Sequence, residues 1–247
     1  MKISAVIVTQ NEEVNIEDAV KSVLWTDEVI IVDSNSEDKT VEIAKKFTDK
    51  VYNVEDLNLT EKRIYSLNKA GNDWILFLDA DERITEELKN EILSLKPDDE
   101  IAAYWLNRKN YWFGSWIKHS ANYPDYQLRL FNKRKCTVTN RLIHEGVETT
   151  GKTLKLKNDM LHYSYRDLTH MIKKINFFST LEAQEHFENK KKITKLGVFS
   201  HSISAFLRIY ISNKGFKDRS EGFFVSFCYA LTNLLSHLKL LKLQSKI

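Results

Sequence analysis

Short apolar runs alternate with amphipathic stretches through the first hundred residues. Apolar runs of strand length cover 3–9, 28–32, 50–53 and 74–78. Between them, apolar residues recur every three or four positions, which predicts helices over 14–24, 38–47, 60–70 and 85–95. Strands that alternate with helices of about ten residues indicate βαβ units and a mostly parallel sheet flanked by helices.

The pattern changes after residue 100. Aromatic and β-branched residues become frequent, and we predict strands at 102–107, 126–131 and 159–165. Helical periodicity then returns over 167–190, 196–212 and 222–243. We therefore expect an α/β domain over 1–165, with halves 1–100 and 101–165, and a helical C-terminal region over 166–247.

Polar side chains follow three of the predicted strands where each strand ends. Thr9, Asp33 and Asp79 close these strands, and Asp81 and Glu82 follow directly. Right-handed crossovers bring successive strand ends to one edge of a parallel sheet, where ligands bind. Two aspartates one residue apart at such an edge can hold Mg²⁺ or Mn²⁺, and the ion commonly brings in a diphosphate. The alternative is that these acids only begin a helix.

Charge is distributed unevenly along the chain. The 247 residues are 43% hydrophobic and 29% charged, as in a folded globular protein, and the net charge is +3. Residues 1–189 carry 26 basic and 32 acidic side chains, whereas 190–247 carry 11 basic and 2 acidic ones. A basic segment after an acidic domain predicts a polyanionic partner. Anionic lipid is favoured over nucleic acid, because no nucleic-acid-reading module is recognisable.

Besides their basic charge, the predicted C-terminal helices contain an apolar run over 223–235. The run is shorter than the roughly 20 residues that a bilayer span needs. We expect a helix lying in the membrane interface, with Lys239, Lys242 and Lys246 reaching lipid headgroups. The alternative is a helical hairpin packed on the rest of the protein or on a homodimer partner. Two distant cysteines and no recognisable signal peptide predict a cytoplasmic protein.

Together with three later motifs, the strand-end residues resemble a known enzyme family. The later motifs are Tyr126–Phe131, Ile143-His144-Glu145 and His162–Tyr165. The set resembles the GT-A glycosyltransferases of family 2, in particular small bacterial enzymes that build lipopolysaccharide core and related surface glycans. The resemblance covers nearly the whole chain. It implies a GT-A, Rossmann-like fold and inverting transfer of a hexose from a UDP-sugar to a lipid-linked saccharide, at the cytoplasmic face of the inner membrane.

The resemblance also implies roles for individual residues. It assigns the nucleotide-sugar donor to 1–100 and the acceptor to 101–165. The implied substrate-binding residues are Thr9, Asn11, Glu12, Asp33, Arg63, Asp79, Gln127 and Arg129, of which the first four contact the nucleotide and Arg63 lies near the donor. Mg²⁺ or Mn²⁺ is expected on Asp81, with Asp79 contacting the metal or the sugar and His162 as a further ligand. A purely structural histidine at 162, and a solvated helix charge at Arg63, remain alternatives.

An inverting transfer needs a base that takes the proton of the acceptor hydroxyl. Glu145 is favoured, since it corresponds in order to the acidic base motif of the family, and Asp125 is the alternative. The carboxylate that is not the base is expected to bind an acceptor hydroxyl or to pair with Arg129 or Arg141.

A cluster of aromatic residues precedes these carboxylates. It includes Trp105, Tyr111, Trp112, Phe113 and Trp116, which either pack in the core or, at Trp112 or Trp116, contact the acceptor or the membrane.

Three other functions compete with this interpretation. One is transfer to a polyprenyl phosphate, and another is a membrane-binding module without activity. The third is a nucleotidyltransferase, which should carry a glycine-rich basic loop after the first strand. Here that loop is acidic and has no glycine.

Overall fold

The computed structural model describes residues 1–55, 57, 59–138 and 146–245. By their packing these residues form two compact units. The first unit contains Met1–Arg108 and the described parts of 126–162, and the second contains Lys109–Asp125 and the chain from Tyr163 onward. The sequence placed 109–125 in the α/β domain, whereas this segment packs with the C-terminal helices.

The elements follow the predicted alternation closely. The first part of the chain contains β1 (Ile3–Thr9), α1 (Ile16–Lys21), β2 (Glu28–Asp33), α2 (Thr40–Ala44), β3 (Val51–Asn53), α3 (Leu59–Lys69), β4 (Trp74–Asp79), β5 (Glu82–Arg83) and α4 (Glu86–Ser94). Then come β6 (Ile101–Trp112), β7 (Ser115–Trp116), β8 (Tyr126–Asn132), β9 (Thr137–Val138), β10 (Val147–Glu148) and β11 (Lys152–Tyr165). The C-terminal helices are α5 (Leu168–Glu188), α6 (Lys195–Leu207) and α7 (Arg219–Gln244).

Within the described residues, one sheet contains nine strands. Its order is β3-β2-β1-β4-β8-β6-β11-β5, with β7 paired to β6, while β9 and β10 form a separate two-stranded sheet. Strands β3, β2, β1 and β4 are parallel, whereas β8 runs antiparallel to both β4 and β6. The predicted α/β class, with a sheet flanked by helices and further helices at the C-terminal end, is confirmed. The parallel part of the sheet lies in residues 1–100.

Both faces of the parallel strands are buried. Alternate residues point to opposite faces of a strand, so Ile7 and Leu78 join one apolar cluster while Val6 and Phe77 join the other. Helices α1 and α4 contribute to the first cluster, and the end of α3 contributes to the second. Burial on both faces explains why these strands appear in the sequence as continuous apolar runs.

The second unit is built around α7, which packs against both α5 and α6. Helix α6 continues into a π-helical turn over Arg208–Ser212, and a 3-10 turn over Gly215–Asp218 leads into α7. By length and composition alone, one stretch of the described chain, Gly215–Gln244, could cross a membrane, and 33% of an 18-residue apolar segment within it is buried in the protein. Core helices of soluble proteins share this length and composition.

Candidate functional site

The ends of three neighbouring parallel strands lie side by side in the first unit. In the register of the sheet, Thr9 of β1 is opposite Asp33 of β2, and Val8 is opposite Asp79 of β4. The predicted meeting of Thr9, Asp33 and Asp79 at one sheet edge is therefore confirmed. Their roles in binding a ligand remain predictions.

The loops after β1 and β2 are joined by side-chain hydrogen bonds. The fully buried Asp33 carboxylate accepts from the Ser36 backbone N–H (2.7 Å) and from the Ser36 hydroxyl (2.6 Å). The Asn11 N–H donates to Ser36 Oγ (2.8 Å), and the Glu37 N–H donates to Asn11 Oδ1 (2.9 Å). Asn11 adopts a positive φ of 53°, a conformation that asparagine tolerates better than most residues. These hydrogen bonds hold the two loops together at the sheet edge.

Two further predicted donor-binding residues lie in the same loop region. The Glu12 N–H donates to Thr40 Oγ1 (2.8 Å), and the Glu12 carboxylate accepts from Asn15 Nδ2 (2.7 Å). Thr9 is buried, and its hydroxyl finds no hydrogen-bond partner among the described residues. Buried polar atoms in native proteins are nearly always satisfied, so this hydroxyl is suited to a ligand or a bound water.

The carboxylate of Asp79 is held by two guanidinium groups. Arg129 Nη2 lies 2.5 Å from Asp79 Oδ2, and Arg63 Nη2 lies 3.4 Å from Asp79 Oδ1. Burial and the neighbouring Asp81 raise the pKa of Asp79, but the charges of Arg129 and Arg63 outweigh them and hold this pKa at about 2. Asp79 is therefore ionised under all physiological conditions. Arg63 is buried, so its interpretation as a solvated helix charge is wrong.

Glu82 is the site residue that the sequence interpretation missed. Its side chain is fully buried, and Oε1 lies 2.6 Å from Arg129 Nη2 and 3.2 Å from Arg108 Nη1. The Asp79 backbone N–H donates to its other oxygen (3.0 Å). As an acid after a strand, Glu82 looks like a helix start, and only its contacts with distant arginines show otherwise.

A short strand pairing brings His162 to Asp81. Strand β5 pairs antiparallel with β11 in a register that places His162 opposite Glu82. His162 Nε2 lies 3.5 Å from Asp81 Oδ2, and both side chains are largely buried. Arg83 supports this turn by donating to the backbone oxygens of Ala80 (2.7 Å) and Asn15 (2.7 Å).

The metal-ligating side chains at this turn fit a hard divalent cation whose remaining coordination positions are filled by a substrate. No group of three or more His, Cys, Asp or Glu side chains within the described ranges is arranged to hold a metal by itself. Mg²⁺ is usually held by one or two protein carboxylates together with substrate phosphates and waters. Asp81 and His162 supply one carboxylate and one imidazole, while Asp79 is occupied by Arg129 and Arg63.

The remaining predicted site residues fall elsewhere. Gln127 lies on β8 opposite Leu106 of β6 in the first unit. Asp125 belongs to the second unit, where its carboxylate accepts a hydrogen bond from Asn110 Nδ2 (2.9 Å). Glu145, the favoured base, lies outside the described residues.

The aromatic cluster divides between the two units. Trp105 belongs to the first, and its indole N–H donates to Thr153 Oγ1 (3.1 Å). Trp112 is buried in the second unit against Tyr165, with ring centroids 4.3 Å apart. For Trp112, packing in the core is therefore the interpretation that the contacts support.

Comparison with known proteins decides the family. Residues 4–149, more than half of the chain, match the model of "Glycosyl transferase family 2". The chain belongs to glycosyl transferase family 2. The resemblance that the sequence motifs predicted is confirmed, and this glycosyltransferase is neither a nucleotidyltransferase nor a membrane-binding module without activity.

Relatives of this family 2 glycosyltransferase match nearly its full length. An uncharacterized glycosyltransferase of Rickettsia typhi is 30% identical, over 99% of this chain and 88% of the relative. The lipopolysaccharide core biosynthesis glycosyltransferase LpsC of Rhizobium meliloti is 26% identical, over 97% of this chain and 92% of LpsC.

A solved structure is also similar in part. It is the glucosyl-3-phosphoglycerate synthase of Mycobacterium tuberculosis in complex with Mg²⁺ and UDP, at 16% identity and a TM-score of 0.47, over 78% of this chain and 81% of that one.

Proposed function

We propose that this glycosyltransferase transfers a hexose from a UDP-sugar, with inversion, to a lipid-linked saccharide during lipopolysaccharide core synthesis. The observation that carries the proposal is the sheet edge where Thr9, Asp33 and Asp79 meet, with Asp81 in the turn that follows. Full-length similarity to a lipopolysaccharide core glycosyltransferase supports the choice of acceptor. We place the reaction at the cytoplasmic face of the inner membrane.

The nucleotide would lie against the loops after β1 and β2. The Asp33 carboxylate and the Thr9 hydroxyl are buried at that edge, where they can hydrogen-bond a base or a ribose. Asn11 and Glu12 fix the shape of the first loop through their contacts with the second loop and with α2. Contacts within the chain thus restrain both loops, and such restraint lowers the entropic cost of binding.

The diphosphate needs a counter-charge that the arginines do not readily supply. Arg63, Arg108 and Arg129 each contact Asp79 or Glu82. We therefore assign Mg²⁺ or Mn²⁺ to Asp81 and His162, and give Asp79 the role of holding Arg129 and Arg63 in place. When bound, such an ion neutralises the departing diphosphate as a Lewis acid.

A donor panel tests the proposal directly. Thermal shift and donor hydrolysis would be measured with UDP- and GDP-sugars, each with Mg²⁺, Mn²⁺ or EDTA. We expect a metal-dependent response to UDP-sugars that is lost in Asp81→Asn and kept in Asp18→Asn, a matched change at an exposed position on α1. Absence of any nucleotide-sugar response with either metal would overturn the proposal.

The base is tested by a pair of isosteric variants. We expect Glu145→Gln to lower turnover by about 10²- to 10⁴-fold, as loss of a positioned base does, while UDP-sugar affinity stays unchanged. Asp125→Asn should then have the smaller effect. Near-normal turnover in Glu145→Gln, with strong loss in Asp125→Asn, would reverse the assignment.

The acceptor is tested separately. Turnover with a polyprenyl phosphate as the acceptor would show whether the enzyme uses that simpler lipid in place of a lipid-linked saccharide.

A further inference from the structure

Helix α6 carries a continuous stripe of exposed apolar side chains. The exposed fractions are 80% for Leu196, 59% for Phe199, 61% for Ile203, 46% for Leu207 and 57% for Ile211 in the following π-helical turn. A spacing of three or four residues puts them on one face of the helix. Contiguous exposed apolar surface of this kind marks a site that contacts another molecule or a membrane.

The opposite face of the same helix is the one that packs within the unit. Val198, Ser202, Ala205 and Ile209 are all buried. Around the stripe, the exposed positions from 196 to 212 are serines, His201 and Arg208, and this stretch contains no acidic residue. The stripe is therefore not the core-facing side of an amphipathic helix, because that side is already covered.

Aromatic residues extend this surface onto α7. The ring of Tyr210 lies 5.9 Å from Phe223 and 6.4 Å from Phe216, measured between centroids. Phe223 and Phe227, one turn apart on α7, are each about half exposed, as is Phe216. We call the stripe together with Tyr210, Phe216, Phe223 and Phe227 the α6–α7 apolar surface.

Exposed basic residues lie at both ends of α6. Lys190, Lys191, Lys192 and Lys195 precede or begin the helix, and Lys214, Lys217 and Arg219 follow its π-helical turn. The segment 190–247 contains two acidic residues, Asp218 and Glu221. Asp218 accepts hydrogen bonds from the His119 backbone N–H (2.8 Å) and lies 2.8 Å from His119 Nδ1, so its charge is engaged within the unit.

We propose that the α6–α7 apolar surface inserts into the headgroup and upper acyl region of an anionic lipid bilayer. Apolar side chains flanked by lysine and arginine are the pattern of helices that lie in the membrane interface. The flanking cations would contact the lipid phosphates. None of these residues belongs to the donor site, so the surface can bind lipid whether or not the proposed reaction is correct, and the two can be tested separately.

Two other occupants fit the observations less well. In a twofold dimer the same patch faces itself, and here the basic ends of α6 would meet basic ends in either orientation. A membrane-spanning α7 would have to leave its partners, since Val225, Cys228 and Leu240 are buried against other parts of the second unit. A helix lying in the interface leaves this packing intact.

Vesicle co-sedimentation of the full chain tests the proposal. We expect binding to phosphatidylglycerol vesicles, weaker binding to phosphatidylcholine vesicles, and loss of affinity as salt is raised. The double variant Phe199→Ser/Ile203→Ser should bind at least about tenfold more weakly, since losing a large buried apolar side chain corresponds to about a decade in affinity or more. Leu93→Ser, at a 58% exposed position on α4, is the matched control and should bind as the wild type does.

Three results would overturn the proposal. One is that the wild type does not bind phosphatidylglycerol vesicles, or that it binds them no more tightly than the double variant does. Another is a dimer in light scattering that the double variant dissociates while vesicle binding stays unchanged, which would identify a second copy as the occupant. The third is retention in cell membranes after alkaline carbonate extraction, which would identify α7 as a spanning helix. Thermal shift with UDP-sugar on the same variants would show that the donor site is intact.

Discussion

The two units treat charge and apolar surface in opposite ways. In the first unit, Asp33, Asp81, Glu82 and Arg129 are all buried at or beside the strand ends, and each has a polar partner. In the second unit, large apolar side chains of α6 and α7 stay exposed.

Burial of charge is costly unless partners compensate it, so the first unit is organised around a preformed polar site. The exposed apolar side chains of the second unit, in contrast, are not accounted for by contacts within that unit. The difference indicates that the strand-end site in the first unit depends on paired charges, whereas the apolar surface of the second unit is the feature that its internal packing leaves uncovered.

The largest expected effect on stability comes from Glu82→Gln. The variant removes the anion that Arg129 and Arg108 share, and it sets an amide donor against either the guanidinium groups or the Asp79 N–H. Breaking a buried ion pair from one side costs about 3–5 kcal/mol, to be measured by urea unfolding. Glu86→Gln, whose wild-type side chain is 77% exposed, should change the free energy of unfolding by less than about 0.5 kcal/mol. Equal effects would mean that the charge cluster does not stabilise the first unit.

A smaller, pH-dependent effect is expected at His237 in the second unit. Burial, with contributions from Lys191, His201 and His186, lowers the pKa of His237 to about 4. The ring of His237 is within 5.8 Å of His186 on α5 and 5.2 Å of His201 on α6, between centroids, and its Nδ1 lies 3.0 Å from Asn233 Oδ1.

The sign of this pH effect follows from proton linkage. Between about pH 6.5 and 4 the unfolded chain binds a proton on His237 that the folded protein does not, so stability falls as the pH falls. The shift corresponds to at most about 3 kcal/mol over this range. Urea unfolding at pH 7.5, 6 and 5 should show a shallower decline for His237→Gln than for the wild type. Parallel declines would assign the acid sensitivity to other groups.

A steric effect is expected at the close contact between the 3-10 turn and α7. A Cβ atom at Gly222 would lie 1.8 Å from the backbone oxygen of Gly215, so the two segments would have to separate. Gly222→Ala should therefore cost about 1–3 kcal/mol, as overpacking does. Gly71→Ala is the control in the first unit, because its nearest contact would be an ordinary 3.5 Å.

Hydrogen exchange would show where the Gly222→Ala variant is destabilised. We expect protection to fall in α7 and to stay unchanged in β1 and β4. Loss of protection in both units would show that the two units do not unfold independently.

Local pattern was sufficient to predict most elements of the chain. The first strand was predicted at 3–9 and is observed at Ile3–Thr9, and α4 lies inside the predicted 85–95. Crossover handedness then placed Thr9, Asp33 and Asp79 at one edge, as the register confirms. These features depend on periodicity and on a general rule of connection, both of which a single sequence contains.

Contacts between distant segments could not be predicted in this way. Nothing local to Glu82 or His162 shows that β5 and β11 pair, yet this pairing buries one side chain and brings the other to Asp81. Nor does the aromatic pattern of 109–125 show that the segment packs with the C-terminal helices. The sequence by itself determined the alternating strands and helices of the first hundred residues and the carboxylates at the strand ends. The tertiary structure alone decided which arginines neutralise those carboxylates and which helix face stays exposed, because both depend on packing between residues far apart in the chain.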